Sequence, residues 1–282
     1  MTMVKILKSK LIKIIDIFSK NKKINILQIG AGSSKREIPP FENFEDYNIL
    51  NFYKIDADDS TVTDQIKKSG RYFNVAISDK TGYEHLYVCK NTGASSIFKP
   101  NKKVLKDWFF GKDAALPSFE ISRIDKVKTT TLDKMYSDGK IPKCDLIRIN
   151  IQGGELKAIN GGKKIFKNSL GIQIELSFNE TYQGAPFFSD IDPILRKMGF
   201  DFFDFLAPNA HAYSPNDESL DYNLVWRNPS YRIFESHCLY LKNHNKIKSD
   251  DDFKKLAIIA ELYGQKGYAN FILSKYIRNS KK

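Results

Sequence analysis

INILQIGAGSS, residues 24–34, is the stretch of sequence that decides the fold. The mostly apolar run from Ile24 to Ile29 is typical of a short buried strand. The turn Gly30-Ala31-Gly32-Ser33-Ser34 follows it, and its glycines leave backbone N–H groups free to face an anion. We therefore predict a strand followed by a cofactor-binding turn that uses Gly30, Ala31, Gly32 and Ser33. The third glycine of the dinucleotide-binding pattern is absent, because Lys35 stands in its place.

Strand-like and helix-like patterns alternate downstream of this turn. A helix is predicted to open at Pro39-Pro40 and to run to about Leu50, since proline suits a first helical turn. The other predicted strands are 52–55, 73–78, 84–88, 146–149, 171–176, 202–206 and 235–241, and the other predicted helices are 155–166 and 189–198. Strands that alternate with helices imply a mostly parallel sheet covered on both faces. We predict a doubly wound, Rossmann-like α/β domain with seven strands.

Helical segments flank this domain. Val4 to Phe18 forms a basic amphipathic pattern, which predicts docking onto the domain or onto a partner subunit; weak contact with a membrane surface is the minor alternative. Asp250 to Tyr263 and Gln265 to Ile277 predict two helices joined near Gly264, packed as a hairpin that also suits a homo-oligomer contact. The predicted divisions are an N-terminal helix 1–23, a domain 24–243 and a helical extension 244–282.

The chain of 282 residues has a formal net charge of +12 and a pI near 9.3. Much of the lysine lies at the two ends, whereas residues 37–64 are acidic. A basic surface attracts polyanions without any special site, and it suits anionic nucleotide sugars or polysaccharide equally well. A lysine-rich soluble protein with no polyanionic partner is the plain alternative.

Cysteine usage and apolar run lengths favour a cytoplasmic protein. Cys89, Cys144 and Cys238 are widely separated, form no CxxC pair and sit in apolar runs, so we predict buried thiols in a reducing compartment. The first residues lack the apolar core and cleavage site of a signal peptide. No stretch approaches the roughly 20 apolar residues of a membrane span.

Polar residues that follow the early strands are the next candidates. In a doubly wound sheet, ligands bind beyond the carboxyl ends of the strands. Asp56 ends the second strand, where a carboxylate can accept both ribose hydroxyls of a nucleoside, with Ala57 beside it and Asp58 as the fallback. Ser78 ends the next strand, where an adenine edge would lie, although Ser78-Asp79 could equally be turn chemistry.

Several further segments occur in one order across the chain. They are VAISDKTG at 75–82, GASS at 93–96, TTLDKM at 130–135, DLIRINIQGGELKAINGG at 145–162, IQIELSFNETYQGAPFF at 172–188 and MGFDFFDF at 198–205. Together with the Gly30 turn, they resemble the FkbM-type methyltransferases, which share the class I fold and use S-adenosylmethionine. The resemblance covers about 24–241. It implies that the Gly30 turn takes the methionine end of S-adenosylmethionine, that Asp56 takes its ribose, and that the fourth and fifth strands end beside the transferred methyl group.

One position departs from that family's pattern. Family members commonly read Lys-Ile-Asp-Val-Glu-Gly-x-Glu, where this chain has Arg148-Ile149-Asn150-Ile151-Gln152-Gly153-Gly154-Glu155. Asn150 can still form hydrogen bonds to a cofactor or at the reacting centre, but it cannot act as a carboxylate base or a strong metal ligand. An oxygen-rich metal cluster is not evident in the sequence, and we predict no metal.

O-methylation requires the acceptor hydroxyl to lose its proton, so a base is expected near the ends of the fourth and fifth strands. Glu175 is the leading candidate. Glu155 is a second candidate, although its position favours capping of its own helix. Asp145, His85 and His211 are the remaining alternatives, with His211 placed in a predicted loop 208–215. The predicted acceptor-binding residues are Gln152, Asn179, Tyr182 and His211.

The resemblance implies an O-methyltransferase that acts on a hydroxyl of a saccharide, a nucleotide sugar or a cell-surface glycan. We predict that acceptor specificity lies in the loops 91–124 and 178–188. A nucleic-acid methyltransferase is a second hypothesis, disfavoured because no Asn-Pro-Pro-Tyr-like motif follows the fourth strand and basic residues there are not interleaved with aromatic ones. A catalytically inactive binding or assembly protein is the third, and Asn150 is the feature that supports it.

Overall fold

A seven-stranded sheet forms the centre of the computed structural model, which describes residues 23–32, 49–64, 67, 71–108, 116–212 and 231–279. The strands run in the order β3-β2-β1-β7-β8-β10-β9. β10 is antiparallel to β8 and β9, and the other pairs are parallel. This arrangement confirms the predicted mostly parallel sheet. Its strands are β1 (Ile24–Ile29), β2 (Leu50–Asp56), β3 (Tyr72–Asn74), β7 (Leu146–Ile149), β8 (Gly171–Ser177), β9 (Phe200–Ala212) and β10 (Tyr231–Lys242).

A second, three-stranded sheet lies between β3 and β7 in the sequence. It contains β4 (Ala76–Ile77), β5 (Gly82–Cys89) and β6 (Ile121–Thr130) in the order β4-β6-β5. The single strand predicted at 73–78 is therefore wrong, because the chain leaves the main sheet at Val75, whose N–H donates to the Asp56 carbonyl. The predicted loop 91–124 is also wrong in part, since it contains a helix and the start of β6.

Most helices of the described part of the chain lie between the strands. They are α1 (Lys102–Trp108), α2 (Leu132–Ser137), α3 (Glu155–Gly161), α4 (Lys163–Asn168) and α5 (Phe188–Lys197). The helix predicted over 155–166 is divided at Gly162. Gly161 packs so closely on the second sheet that a Cβ atom there would lie 2.1 Å from the Ser78 carbonyl oxygen.

Helices cover both faces of the main sheet, as predicted. On one face, residues of β1, β7 and β8 pack against apolar side chains of α2 to α5, with Ile147, Ile159 and Phe166 essentially unexposed. On the other face they pack against α6 (Asp250–Leu262), which is followed by α7 (Lys266–Asn279). These two C-terminal helices form the predicted hairpin, and burial of residues 256–262 joins it to the core.

A buried ion pair fastens α6 to the amino edge of the sheet. Lys255 Nζ lies 3.0 and 2.9 Å from the two carboxylate oxygens of Asp145, which is 0% exposed at the start of β7. The Asn25 N–H also donates to Asp145, at 2.9 Å. Asp145 therefore lies at the edge opposite to the predicted site, and its place in this ion pair removes it as a base candidate.

Other predictions have mixed outcomes. The cysteines are free and buried, as predicted. Ile49 is not helical and β2 begins at Leu50, so the last two residues of the helix predicted up to about Leu50 are wrong. β9 extends to Ala212, so the predicted loop 208–215 is wrong over its first five residues.

The predicted N-terminal helix Val4 to Phe18 and most of the predicted helix after Pro39 lie outside the described residues. Within the described ranges, no helix combines the length and apolar character needed to cross a membrane.

Candidate functional site

The Gly30 turn lies where β1, β2 and β7 end side by side. Gly30 has a φ of 79°, and its N–H and that of Ala31 donate to the Ile55 carbonyl. A Cβ atom at Gly30 would lie 1.8 Å from the Asn150 carbonyl oxygen. Only glycine satisfies both the left-handed backbone and this contact. The turn thus starts directly against the loop after β7. Ser33 lies outside the described residues, so its role stays a prediction.

Asp56 faces this turn from the end of β2. One carboxylate oxygen accepts the Gly32 N–H at 2.7 Å and the other accepts the Asp58 N–H at 2.9 Å. Burial raises the pKa of Asp56 to about 6, although these hydrogen bonds favour the ionised form. A carboxylate offers about four acceptor sites, so Asp56 can still accept from a further donor. A carboxylate in a glycine cradle therefore fits a ligand with neighbouring hydroxyls, such as a ribose.

The protein itself engages the neighbours of Asp56. Asp58 accepts the Ser60 N–H and pairs with Arg123 of β6 at 3.1 Å. The Ala57 carbonyl accepts a hydrogen bond from the Asn74 side chain at 3.3 Å. Ser78 is fully buried under α3, and its hydroxyl donates to Glu84 at 2.6 Å. Asp56 is therefore the carboxylate of this group that stays available to a ribose, and the cofactor contacts predicted for Ala57 and Ser78 stay predictions.

A hydrogen-bond network joins the ends of β7 and β8. The Gln152 Nε2 group donates to Asn150 Oδ1 at 2.7 Å and to Glu175 Oε2 at 2.6 Å. The Tyr182 hydroxyl lies 2.9 Å from Gln152 Oε1 and 2.9 Å from the Ala94 carbonyl oxygen, and its single proton serves one of them at a time. The structure thus brings four predicted site residues together: Asn150, Gln152, Glu175 and Tyr182.

Gln152 adopts an unusual backbone conformation, with a φ of 53°. A non-glycine residue in this left-handed region carries strain of about 1 kcal/mol or more, and such residues cluster at functional sites. Its carbonyl accepts the Ser96 hydroxyl at 2.6 Å, and Ser96 in turn accepts the Phe98 N–H. The segment that connects β5 to α1 therefore supports Gln152 through the hydrogen bond from Ser96. The GASS segment at 93–96 is visible in the sequence, but this supporting contact of Ser96 is not.

His237 is a functional candidate that the sequence did not reveal. Its Nε2 atom lies 3.5 Å from Glu175 Oε1, and the two residues are paired across β10 and β8. Both residues are buried, and their side chains are at most 10% exposed. The sequence shows a histidine inside the predicted strand 235–241, but residue spacing alone does not show which strand pairs with it. Glu175 thus has an amide on one oxygen and an imidazole beside the other.

Glu155 holds the loop before α3. Its carboxylate oxygens accept the N–H groups of Ile151 and Gly153, each at 2.8 Å. Burial raises the pKa of Glu155 to about 7. Both oxygens accept from the loop that precedes α3, and Gly154 is the N-cap of α3 without a side-chain hydrogen bond, so the predicted capping by Glu155 is wrong; a catalytic role stays a prediction.

The remaining candidates lie in different places. Asn179 follows β8 and is 7% exposed, and its Nδ2 atom has no hydrogen-bond partner among the described residues, which fits an acceptor-binding amide. His85 is on the exposed side of the second sheet, away from this network. His211 lies in β9, and its side chain is outside the described part. Among described residues, no three His, Cys, Asp or Glu side chains are grouped to hold a metal ion.

Comparisons with known proteins identify the family of this chain. The family model of the methyltransferase FkbM domain matches residues 32–202, which is more than half of the chain. The 2-O-methyltransferase NoeI of Sinorhizobium fredii (strain NBRC 101917 / NGR234) is 30% identical over 122 residues. That alignment spans 40% of this chain and 46% of NoeI, so the chain covers about half the length of this curated relative.

Two solved structures are similar at 9% identity. Methyltransferase FkbM from Methylobacillus flagellatus KT gives a TM-score of 0.39, over 78% of this chain and 43% of that one. Magnesium protoporphyrin IX methyltransferase (ChlM) from Synechocystis PCC 6803, with bound SAM, gives a TM-score of 0.36, over 85% of this chain and 79% of that one. The family match over residues 32–202 is the finding that decides the classification, and it shows that this chain belongs to the FkbM methyltransferase family, with the class I α/β fold that the sequence predicted.

Proposed function

We propose that this protein is an S-adenosylmethionine-dependent O-methyltransferase that acts on a hydroxyl of a saccharide, a nucleotide sugar or a cell-surface glycan. One observation carries the proposal: the Asp56 carboxylate in its glycine cradle and the Glu175 network lie at the same carboxyl edge of the sheet. A doubly wound sheet binds its ligands at this edge. The name of NoeI, a 2-O-methyltransferase, supports an oxygen acceptor.

The residues that would hold the cofactor are those of the first two strand ends. Backbone N–H groups of the Gly30 turn suit a carboxylate. Asp56 would accept the ribose hydroxyls with the lone pairs that Gly32 and Asp58 leave free. When bound, S-adenosylmethionine supplies an electrophilic methyl group on its sulfonium.

Glu175 is the proposed base, and it would take the proton of the acceptor hydroxyl onto a carboxylate oxygen. Gln152 fixes one oxygen by a hydrogen bond of 2.6 Å. His237 lies beside the other, so the carboxylate is oriented from two sides. Gln152 is better described as a positioning residue than as an acceptor-binding one, because its amide contacts Asn150, Glu175 and Tyr182. Asn179 would donate to an acceptor oxygen with its buried amide.

The test combines calorimetry with methyl transfer. Titration with S-adenosylmethionine should give a saturable isotherm, and radiolabelled cofactor should label at least one member of a panel of nucleotide sugars, polysaccharides, RNA and DNA. Glu175→Gln should lower turnover by about 10²- to 10⁴-fold, the usual contribution of a general base, with cofactor affinity within about twofold. Glu120→Gln, an exposed glutamate paired with Lys90, is the matched control and should keep full activity.

The outcomes separate the hypotheses. Labelling of RNA or DNA in preference to every saccharide would replace the proposed acceptor class. Cofactor binding without transfer to any class would favour a binding protein that keeps the fold. Absence of cofactor binding at high micromolar concentration would overturn the proposal altogether.

A further inference from the structure

The second sheet presents one face to solvent. On β5 and β6 the side chains of this outer face are Tyr83, His85, Tyr87, Ile124, Lys126 and Lys128, which the antiparallel register pairs as Tyr83 with Lys128, His85 with Lys126 and Tyr87 with Ile124. Tyr83 is 64% exposed and Ile124 55% exposed. Leu86 and Val88 alternate with them and are buried on the opposite side. The outer face thus exposes large apolar and aromatic side chains that a sheet normally covers, whereas the partly exposed residues of β6 on the opposite face, Arg123 and Asp125, are paired with each other.

Lysines accompany the rings. Lys126 Nζ lies 4.9 Å from the centre of the Tyr83 ring, and Lys99 Nζ lies 5.6 Å from that of Tyr87. Neither of these lysines, nor Lys128, forms an ion pair with any residue that the structure describes. Glu84 lies on the opposite face of the second sheet, where its carboxylate accepts hydrogen bonds from Ser78 and Lys157. The outer face therefore combines aromatic rings with uncompensated positive charge.

We propose that the outer face of the second sheet binds an anionic polysaccharide. Tyrosine rings offer flat surfaces to the C–H faces of sugar rings, and lysine ammonium groups pair with carboxylate, sulfate or phosphate substituents. Tyr83 and Tyr87 are four residues apart on one strand, so their rings span about 13 Å, enough for more than one sugar unit. Among the described residues this face contains lysine but no arginine, since Arg123 turns away to bind Asp58. Arginine is the preferred side chain for nucleic-acid phosphate, so the composition favours a polysaccharide.

The outer face is connected to the candidate site. The Tyr87 backbone pairs with Ser96 through two N–H···O bonds of 2.8 and 3.2 Å, and the Ser96 hydroxyl binds the Gln152 carbonyl. A polymer that lies along β5 would therefore reach the segment that holds the site. The choice of a saccharide rests on the proposed function, whereas the charge and exposure of the face do not.

Binding can be measured without cofactor or turnover. The probe is a fluorescent oligogalacturonate of about ten units, titrated by anisotropy, with neutral dextran of the same length, oligo-dT and anionic lipid vesicles as competitors. The double variant Lys126→Gln/Lys128→Gln should weaken oligogalacturonate binding at least about tenfold, and added salt should do the same. Tyr83→Ser should weaken it about fivefold. The controls Lys134→Gln/Lys140→Gln and Tyr136→Ser alter exposed residues of α2 and the turn after it, and should stay within twofold.

The results discriminate in both directions. Equal affinity of the face variants and the wild type would overturn the proposal, and so would tighter binding of oligo-dT or vesicles than of oligogalacturonate. Calorimetry with S-adenosylmethionine on the same variants should be unchanged. If the variants lose oligogalacturonate binding while the wild type binds no cofactor, the polysaccharide surface is supported and the proposed methyl transfer is contradicted. If the wild type binds the cofactor but no oligogalacturonate, the polysaccharide surface is contradicted and the proposed methyl transfer is not.

Discussion

Asp56 is the residue at which cofactor binding can be separated from folding. We expect Asp56→Asn to raise the dissociation constant of S-adenosylmethionine at least about tenfold, because a hydrogen bond to a charged group contributes roughly 1.5–3 kcal/mol. Asp138→Asn, a surface aspartate paired with Lys134, should leave the constant unchanged. Since the Asp56 pKa is about 6, wild-type affinity should also fall below that pH, and the variant should lack this dependence. Calorimetry from pH 5 to 8 measures both the loss of affinity in the variant and the pH dependence in the wild type. A wild-type dissociation constant that does not change with pH would refute the role of Asp56 in binding the ribose.

Gln152 allows backbone strain and side-chain function to be measured apart. Gln152→Ala removes the amide and keeps a Cβ atom at a φ of 53°, whereas Gln152→Gly removes both. We expect similar losses of kcat in the two variants, because Glu175 loses its 2.6 Å bond in each. The glycine variant should resist urea better, by about 1 kcal/mol. A more stable alanine variant would show that the backbone of residue 152 is not strained.

At this scale, the position of a residue near the end of a strand can be predicted from the sequence. Asp56 and Glu175 could be placed because the carboxyl ends of parallel strands meet at one edge. His237 and Ser96 could not, because their roles depend on which strand lies beside β8 and on how the β5 connection folds back. Gln152 was found as a residue but expected to bind the acceptor, since spacing does not show that neighbours already engage its amide.

The docking of α6 on the sheet depends on the Asp145–Lys255 pair. Lys255→Met should lower the free energy of unfolding by about 3–5 kcal/mol, because it leaves a carboxylate buried without its partner. Lys163→Met, an exposed lysine in the first turn of α4, should change it by less than about 0.5 kcal/mol. Urea denaturation at pH 8 gives these values. Addition of Asp145→Asn should recover part of the loss, and no recovery would show that the charge is not the cause.

Elements of the main sheet were more predictable than those of the second sheet. β1, β7 and β8 are apolar runs bounded by turns, and the C-terminal hairpin shows clear helical spacing. β6 was not predicted because its residues 122–128 are mainly polar or half-exposed. One face of this strand is open to solvent, and the other face contacts charged groups such as Asp58. Its pattern therefore resembled that of a loop, although strand pairing with β5 satisfies its backbone.

At the scale of the whole molecule, charge and core separate into different regions. Two apolar layers enclose the main sheet, and the candidate site lies at its carboxyl edge. The net charge of +12 indicated a basic surface but did not indicate its location. The structure shows that Lys126 and Lys128, which form no ion pair with any described residue, lie on the second sheet, which was not predicted from the sequence. Substrate capture and chemistry would thus belong to different sheets joined through Ser96.

Buried carboxyls should make the cofactor-free protein less stable as the pH rises towards neutrality. The pKa values of Asp56 and Glu155 are raised to about 6 and about 7, whereas those of unfolded carboxyls are near 4. Between these limits the folded state binds more protons than the unfolded state, so the free energy of unfolding falls with increasing pH. We expect it to be higher at pH 5 than at pH 7.5, by about 1–3 kcal/mol, in urea denaturation followed by circular dichroism. The cofactor should weaken this trend, because its ribose requires the ionised form of Asp56, whereas Glu155 keeps its raised pKa. A free energy of unfolding that rises from pH 5 to 7.5 without cofactor would contradict the burial of these charges.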